Sequence, residues 1–247
     1  MDELQDYKFN EIYDLAALID SHAKYENSFF NYDRTTFVNR ASKFSKKTLL
    51  HLYITSAALN YFRTKFRKES DLFYEDGAMD SWYSSFKEYN ISLRKFKFDG
   101  KQNIYEWFQD NVDKFEKLFD KMAEELFYIL FSNRGFLLNF NYLVSETVYD
   151  NVFPEKDLNP KGKIKRVNIP QWVRNAVYHR DKGRCVFCNT DLTRLINILT
   201  SSNFDHMIPL DLNGANDPCN IQLSCEKCNK SKKNNDGSTS TKYIAWW

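Results

Sequence analysis

Two short cysteine pairs constrain this chain more than any other feature. Cys185-Val186-Phe187-Cys188 and Cys225-Glu226-Lys227-Cys228 share the C-x-x-C spacing and are separated by 36 residues. Each tight turn can present two thiolates, and four thiolates about 2.3 Å from one ion make a tetrahedral zinc site. Zinc held this way replaces a core too small to hold itself together. Four unrelated buried cysteines would give the same count, but not the same spacing twice. The fifth cysteine, Cys219, is expected to be a small buried apolar residue. The start Met1-Asp2-Glu3 is acidic and lacks an export signal. Five cysteines in such a chain read as metal ligands rather than disulfides, and a cytoplasmic location is expected.

The pairs sit in the basic part of an unevenly charged chain. Of 247 residues with formal charge +2, residues 1–157 carry 21 Lys/Arg against 26 Asp/Glu, and residues 158–247 carry 14 against 7. The break falls in Phe153-Pro154-Glu155-Lys156-Asp157-Leu158-Asn159-Pro160, where two prolines disfavour helix. Residues 154–168 are therefore expected to be a basic linker between a domain at 1–153 and a smaller one at 169–235. Lys161, Lys163, Lys165 and Arg166 read either as a solvated linker or as an arm that contacts phosphates.

The first half predicts helices. Seven Gly and five Pro are few turn formers beside 21 Phe, 15 Tyr and 5 Trp. No run of eighteen apolar residues exists, so no membrane span is expected. Residues 3–22 carry an approximate helical stripe (Leu4, Tyr7, Phe9, Ile12, Leu15, Leu18, Ile19), and 46–68 read as a long, almost fully buried helix. Tyr105, Phe108, Val112, Phe115, Phe119, Met122, Leu126 and Ile129 recur at spacings of 3 and 4, an unbroken heptad seam. Asn103 is a fitting N-cap for it, and Asn133-Arg134-Gly135 a fitting stop. Such a seam is core in the plainer reading. In the sharper one, residues 105–129 pack on a second copy or a protein partner. His22 and His51 read as satisfied structural histidines. No catalytic constellation, phosphate loop or repeat is visible in this half.

The last 80 residues carry chemistry. Ile169-Pro170-Gln171 opens a short helix through Arg180, followed by the turn Asp181-Lys182-Gly183-Arg184 and the first knuckle. Between the knuckles lie Phe204-Asp205-His206-Met207-Ile208-Pro209-Leu210 and Asn220-Ile221-Gln222-Leu223. The second knuckle runs into Asn229-Lys230-Ser231-Lys232-Lys233. In this order, the pieces Val173-Arg174-Asn175-Ala176-Val177-Tyr178-His179-Arg180-Asp181, Gly183-Arg184-Cys185, Asp205-His206-x-Ile208-Pro209, Asn220-x-x-Leu223 and Cys225-x-x-Cys228-Asn229-x-x-Lys232 resemble the HNH endonucleases of the four-cysteine type. The resemblance covers about residues 169–235.

The stripes of the first half predict an N-terminal helical bundle, and the resemblance implies that a small C-terminal α+β domain of the ββα-metal (HNH) fold, stapled by zinc, follows it, so that the chain is mainly α. The resemblance also implies a metal-dependent hydrolysis of DNA phosphodiester bonds. His206 takes the place of the general base, and an imidazole suits that task near neutral pH. Asp205 and Asn229 take the places of ligands to one catalytic divalent ion, Mg2+ or Mn2+. Cys185, Cys188, Cys225 and Cys228 hold structural Zn2+. Asn220 takes the place of the residue that braces the loop and orients His206. Asn229 stands where many members have histidine, which favours magnesium. Since strand neighbours point to opposite faces, Asp205 and His206 can reach one phosphate only at an irregular strand end, with Pro209 ending the pairing. Arg174, Arg184, Lys230, Lys232, Lys233, Lys163, Lys165 and Arg166 are expected to contact nucleic acid, with Arg180 adding to the patch, although a solvated surface is the plainer reading of each lysine. The tail 236–247 is expected to be a flexible connector ending in Trp246-Trp247, docked on the helical domain or a partner.

An unfamiliar helical domain fused to such a nuclease looks most like an anti-phage defence or restriction effector. Two alternatives stand beside it. One is a zinc-stapled nucleic-acid-binding module without catalysis. The other is a nuclease held silent by a partner protein.

Overall fold

In the computed structural model the described residues are 7, 12–25, 32–75, 77–193, 203–232 and 236–244. The first described helix, α1 (Ile12–Tyr25), buries Ile12, Leu15, Ala16, Ile19 and Ala23, one face of a 3.6-residue period. Leu4 and Phe9 of the expected stripe lie outside the described residues. Helix α2 (Arg34–Ser42) is capped by Asp33, whose carboxylate accepts Thr35 N at 3.0 Å. Helix α3 (Leu49–Lys68) begins three residues inside the expected 46–68 span and buries Leu49, Leu50, Tyr53, Ile54, Ala57, Ala58 and Phe66.

The predicted single helix over 104–131 is two. Helix α5 (Ile104–Asp110) follows α4 (Asp80–Glu88), and α6 (Val112–Phe131) begins after a break at Asn111. Asn111 leaves helical geometry (φ −117°, ψ 12°), and its side chain spans the break. Its amide donates to Trp107 O at 2.8 Å and its oxygen accepts Lys114 Nζ at 3.0 Å. The expected cap is present: Asn103 and Glu106 form a reciprocal capping box. The seam itself is internal. Phe108, Phe115, Phe119, Met122 and Leu126 are buried against α3 and α1, with Phe62 and Phe119 stacked at 5.5 Å. Tyr105, Val112 and Ile129 of the seam are partly buried against the same core.

Asn133, read as a stop, also starts the next helix. Its side chain accepts Phe136 N at 3.1 Å and caps α7 (Arg134–Asp150). The proline-rich segment after α7 is ordered rather than a free linker. Leu158 and Ile164 form an antiparallel bridge, Ile164 is buried, and Lys163 Nζ donates to Asn213 Oδ1 at 2.8 Å.

The C-terminal part contains α8 (Gln171–Arg180), then β1 (Phe204–His206), β2 (Ile221–Leu223) and α9 (Glu226–Lys232). The strands pair antiparallel, Phe204 opposite Leu223, Asp205 opposite Gln222, and His206 opposite Ile221. This is the expected ββα order. It is not separately packed: buried apolar residues from Ile12 to Leu223 form one contiguous cluster. Polar contacts cross as well. Buried Asp217 accepts Leu49 N at 2.8 Å, so a residue from between the strands caps α3. Arg134, at the start of α7, reaches Asp181 (3.5 Å), Ser240 O (2.7 Å) and Lys242 O. The tail at 236–244 is therefore held in place. Ser238 N donates to Met207 O at 3.1 Å and Tyr142 OH to Gly237 O at 2.7 Å. A Cβ at Gly237 would come within 2.2 Å of Ile208 Cδ1, so a larger residue there would have to push the end of that side chain aside. The two terminal tryptophans lie outside the described residues.

Candidate active site

The zinc-type centre is built from two turns brought together by the strand pair. Val186 N donates to Leu223 O at 2.9 Å, which fastens the first knuckle to the end of β2, and the second knuckle follows β2 directly. Asn189 takes a positive φ (64°) to close the first turn, and Cys228 N donates to Cys225 Sγ at 3.4 Å in the second. The ligand atoms of Cys185, Cys188, Cys225 and Cys228 lie within 4.8 Å of one another, and Cys188 Sγ stands 3.7 Å from Cys225 Sγ. The edge of a tetrahedron with Zn–S near 2.3 Å is about 3.8 Å, so the donor set fits zinc in number, chemistry and separation. The Thr190 hydroxyl, 3.1 Å from Cys188 Sγ, holds that thiol down to about 6, while burial raises Cys185 and Cys228. Cys219 is buried as expected, 3.9 Å from Thr48 Oγ1.

Beside this centre the strand alternation separates the two key side chains. Phe204 and His206 face the buried side of β1 and Asp205 the other, because pairing stays regular through His206. This corrects the expectation of an irregular strand end at His206. Pairing ends one residue later, before Pro209, where Asn220 takes over. Its oxygen accepts Ile208 N at 2.8 Å, its amide donates to Ile208 O and Ala215 O, both at 3.0 Å, and Met207 N donates to Asn220 O at 2.6 Å. Asn220 thus clasps the 207–220 loop with every polar atom it has, and those bonds go to the loop rather than to the imidazole.

His206 is 1% exposed, and neither ring nitrogen has a partner in hydrogen-bond geometry among the described residues. Burial, then the charges of Arg166 and Lys232, push its pKa down to about 3, while the neighbouring Asn216 amide acts the other way. Asn216 was invisible as a site residue in the sequence. It is fully buried, its N donates to Ala41 O at 2.9 Å, and its amide donates to Ser42 O at 3.0 Å and Lys165 O at 2.8 Å. Its oxygen has no partner in hydrogen-bond geometry and stands beside the ring. Its backbone partners are some 50 and 170 residues away, so no local motif could mark it.

On the other face, Asp205 is 13% exposed. Its Oδ2 accepts Lys232 Nζ at 2.8 Å and Gln222 Nε2 at 3.2 Å, and the Lys232 ammonium also reaches the His206 carbonyl. Asn229 stands three residues before Lys232 on α9, hence on the same helix face. The place already attracts a cation, since an ammonium sits on it.

The expected nucleic-acid contacts divide. Arg166 and Lys165 are exposed, and Arg166 brings its charge to the His206 ring from the segment before α8. Lys230 is exposed beside Glu226, and Arg184 pairs with Asp191 at 3.4 Å. Lys163 is held by Asn213, and Arg174 is half-buried on α8. Lys232 is corrected from a surface contact to a part of the site, 4% exposed on Asp205. Arg180 is corrected too: 2% exposed, it is engaged by Asp181 at 2.9 Å and by Ile221 O, so its charge is spent inside. Lys233 lies outside the described residues.

Residues 185–235 match the family model of the HNH endonucleases. The match begins at Cys185, so α8 lies outside it although its end is bonded to β2. The four cysteines are positioned to bind a metal, consistent with the zinc type of that family. No curated protein and no solved structure matches the chain. Among the described residues no helix is long and apolar enough to cross a membrane.

Proposed function

From an HNH endonuclease domain at residues 185–235, we propose that the chain is a metal-dependent endonuclease that hydrolyses DNA phosphodiester bonds with His206 as general base. The observation that carries this reading is His206 itself. It is a buried imidazole with no partner in hydrogen-bond geometry on either nitrogen among the described residues, only the Asn216 amide beside it, back to back with Asp205 and under the charge of Arg166 and Lys232. A structural histidine normally satisfies at least one nitrogen. His206 is neutral at physiological pH, so one nitrogen is free to take the proton of an attacking water. Arg166 draws the scissile phosphate toward the ring, and neutralising that guanidinium raises the basicity of His206 when substrate arrives. Asp205 and Asn229 would hold a divalent ion, Mg2+ or Mn2+, which would supply charge stabilisation to the reacting phosphate. Lys232 holds the Asp205 carboxylate in place through their ion pair, and Asn220 keeps the loop at fixed length beside the base.

The near-complete burial of His206 favours one addition, that this is the silent form of the nuclease and that a partner or the DNA opens the loop. The test is supercoiled-plasmid cleavage by the wild type, His206→Ala and Asp205→Asn, with Mg2+, Mn2+ and EDTA arms and thermal melts of each protein. Cutting that disappears in EDTA and in folded His206→Ala supports the reading. Equal cutting by wild type and His206→Ala overturns the assigned base.

A further inference from the structure

The helical half is acidic as a whole, yet its extended segment 91–98 and the turn after it concentrate positive charge. Arg94, Lys95, Lys97 and Lys101 stand against a single acid, Asp99, within eight residues. They line a cavity of about 450 Å3 together with Lys114 of α6 and Asp110 of α5. The backbone explains the arrangement. Phe96 turns inward and is buried, its N–H donates to Tyr83 OH at 2.9 Å, and Trp107 Nε1 fixes Arg94 O at 3.0 Å. With Phe96 anchored inward, Arg94, Lys95, Lys97 and Phe98 are left exposed around it, and the Lys95 ammonium lies 5.2 Å from the centre of the Tyr83 ring. The acids are already engaged: Asp110 accepts Gln102 Nε2 at 2.6 Å, and Asp99 accepts Lys101 N at 3.1 Å. Among the described residues Arg94, Lys97 and Lys101 make no ion pair. Beside them Phe98 is 62% exposed, edge-on at 5.9 Å to Tyr74, which is itself 46% exposed.

A row of unneutralised cations repels itself, and an exposed phenyl ring gains nothing from water. Together they match a polyanion whose repeating unit also carries a flat apolar face. We propose that this cleft binds an unpaired polynucleotide strand, with phosphates on Arg94, Lys97 and Lys101 and a base stacked on Phe98. The choice of a polynucleotide over other polyanions rests on the nuclease reading. The helical half then holds the strand that the HNH end cuts or displaces.

The experiment is fluorescence anisotropy with a labelled oligothymidylate and with a duplex of equal length, in EDTA so that nothing is cut, across a salt series. Wild type is compared with Arg94→Gln/Lys97→Gln/Lys101→Gln and with Phe98→Ala, all exposed positions, with folding checked by thermal melts. Losing three phosphate contacts is expected to reduce the slope of log K against log salt on the single strand by about 2. Phe98→Ala is expected to weaken single-strand binding about five- to a hundredfold at unchanged slope. Unchanged slope and affinity in both variants, in a protein that binds DNA and cuts plasmid, would overturn the inference alone. Losses confined to the duplex would overturn the single-strand assignment. A wild type that binds neither oligonucleotide would overturn the inference whether or not it cuts plasmid, and the nuclease reading would still rest on its own cleavage test.

Discussion

A buried polar group without a partner costs about 1–3 kcal/mol, and among the described residues neither His206 nitrogen has one in hydrogen-bond geometry. Asn216, beside it, spends its backbone N–H and its amide on three carbonyls while leaving its oxygen toward the ring. Replacing Asn216 by Ala is expected to cost about 1–3 kcal/mol in urea unfolding, from the donors taken away from Ser42 O and Lys165 O. It should also lower cleavage more than Ser42→Ala does, since that change leaves all three carbonyls in place. Equal cleavage by the two variants would separate Asn216 from the base. His51 gives a pH signature remote from the nuclease chemistry. It completes a capping box with Thr48, stacks on Phe127 at 4.8 Å, and is pushed down to about 4 mainly by burial, with Arg40 and Lys47 adding to it. The unfolded chain takes up this proton near pH 6.5 and the folded one near 4, so stability is complete above 6.5 and declines as pH falls toward 4. The expected loss is about 3 kcal/mol. His51→Asn should flatten that part of the pH profile of the urea midpoint.

At the level of elements, caps decide where helices start, and their position in the fold decides what each is worth. Asp33 caps α2 from its own flank and in solvent. Asp217 caps α3 from the far end of the chain, buried, and also accepts Cys219 N at 2.8 Å. Asp217→Ala is therefore expected to cost about 1–3 kcal/mol and to loosen the loop before β2. Asp33→Ala should be the milder change, and equal midpoints for the two would remove the argument. The helix pattern was legible wherever a single apolar period ran unbroken, as in α3. The 104–131 seam was legible as an apolar period but not as two helices. Asn111 ends α5 through its own side-chain bonds, and a period of apolar residues carries no information about that. The hairpin at 158–164 was hidden for a similar reason: its prolines and lysines resemble a linker, and only the burial of Ile164 orders it.

For the whole molecule, the contiguous core and the crossing bonds of Arg134, Asn216 and Asp217 make the two halves interdependent. A fragment of residues 154–247 is expected to show no cooperative thermal transition even with zinc present, while the full chain shows one. A cooperative melt of the fragment would make the halves independent. The four thiolates were legible from type and spacing alone, because metal chemistry restricts which side chains can serve, whereas Asp205-His206 stood out only through the family resemblance of the pieces around them. The sequence by itself determined the zinc-type knuckles and the helical character of the first half, since each rests on local spacing, and its resemblance to a family implied the ββα order. Only the tertiary structure decided that the heptad seam is core, that Lys232 sits on Asp205 and Arg180 on Asp181, and that Asn216 and Asp217 join the site to the helices. Those outcomes depend on residues far apart in the chain meeting in space, and local patterning does not encode such meetings.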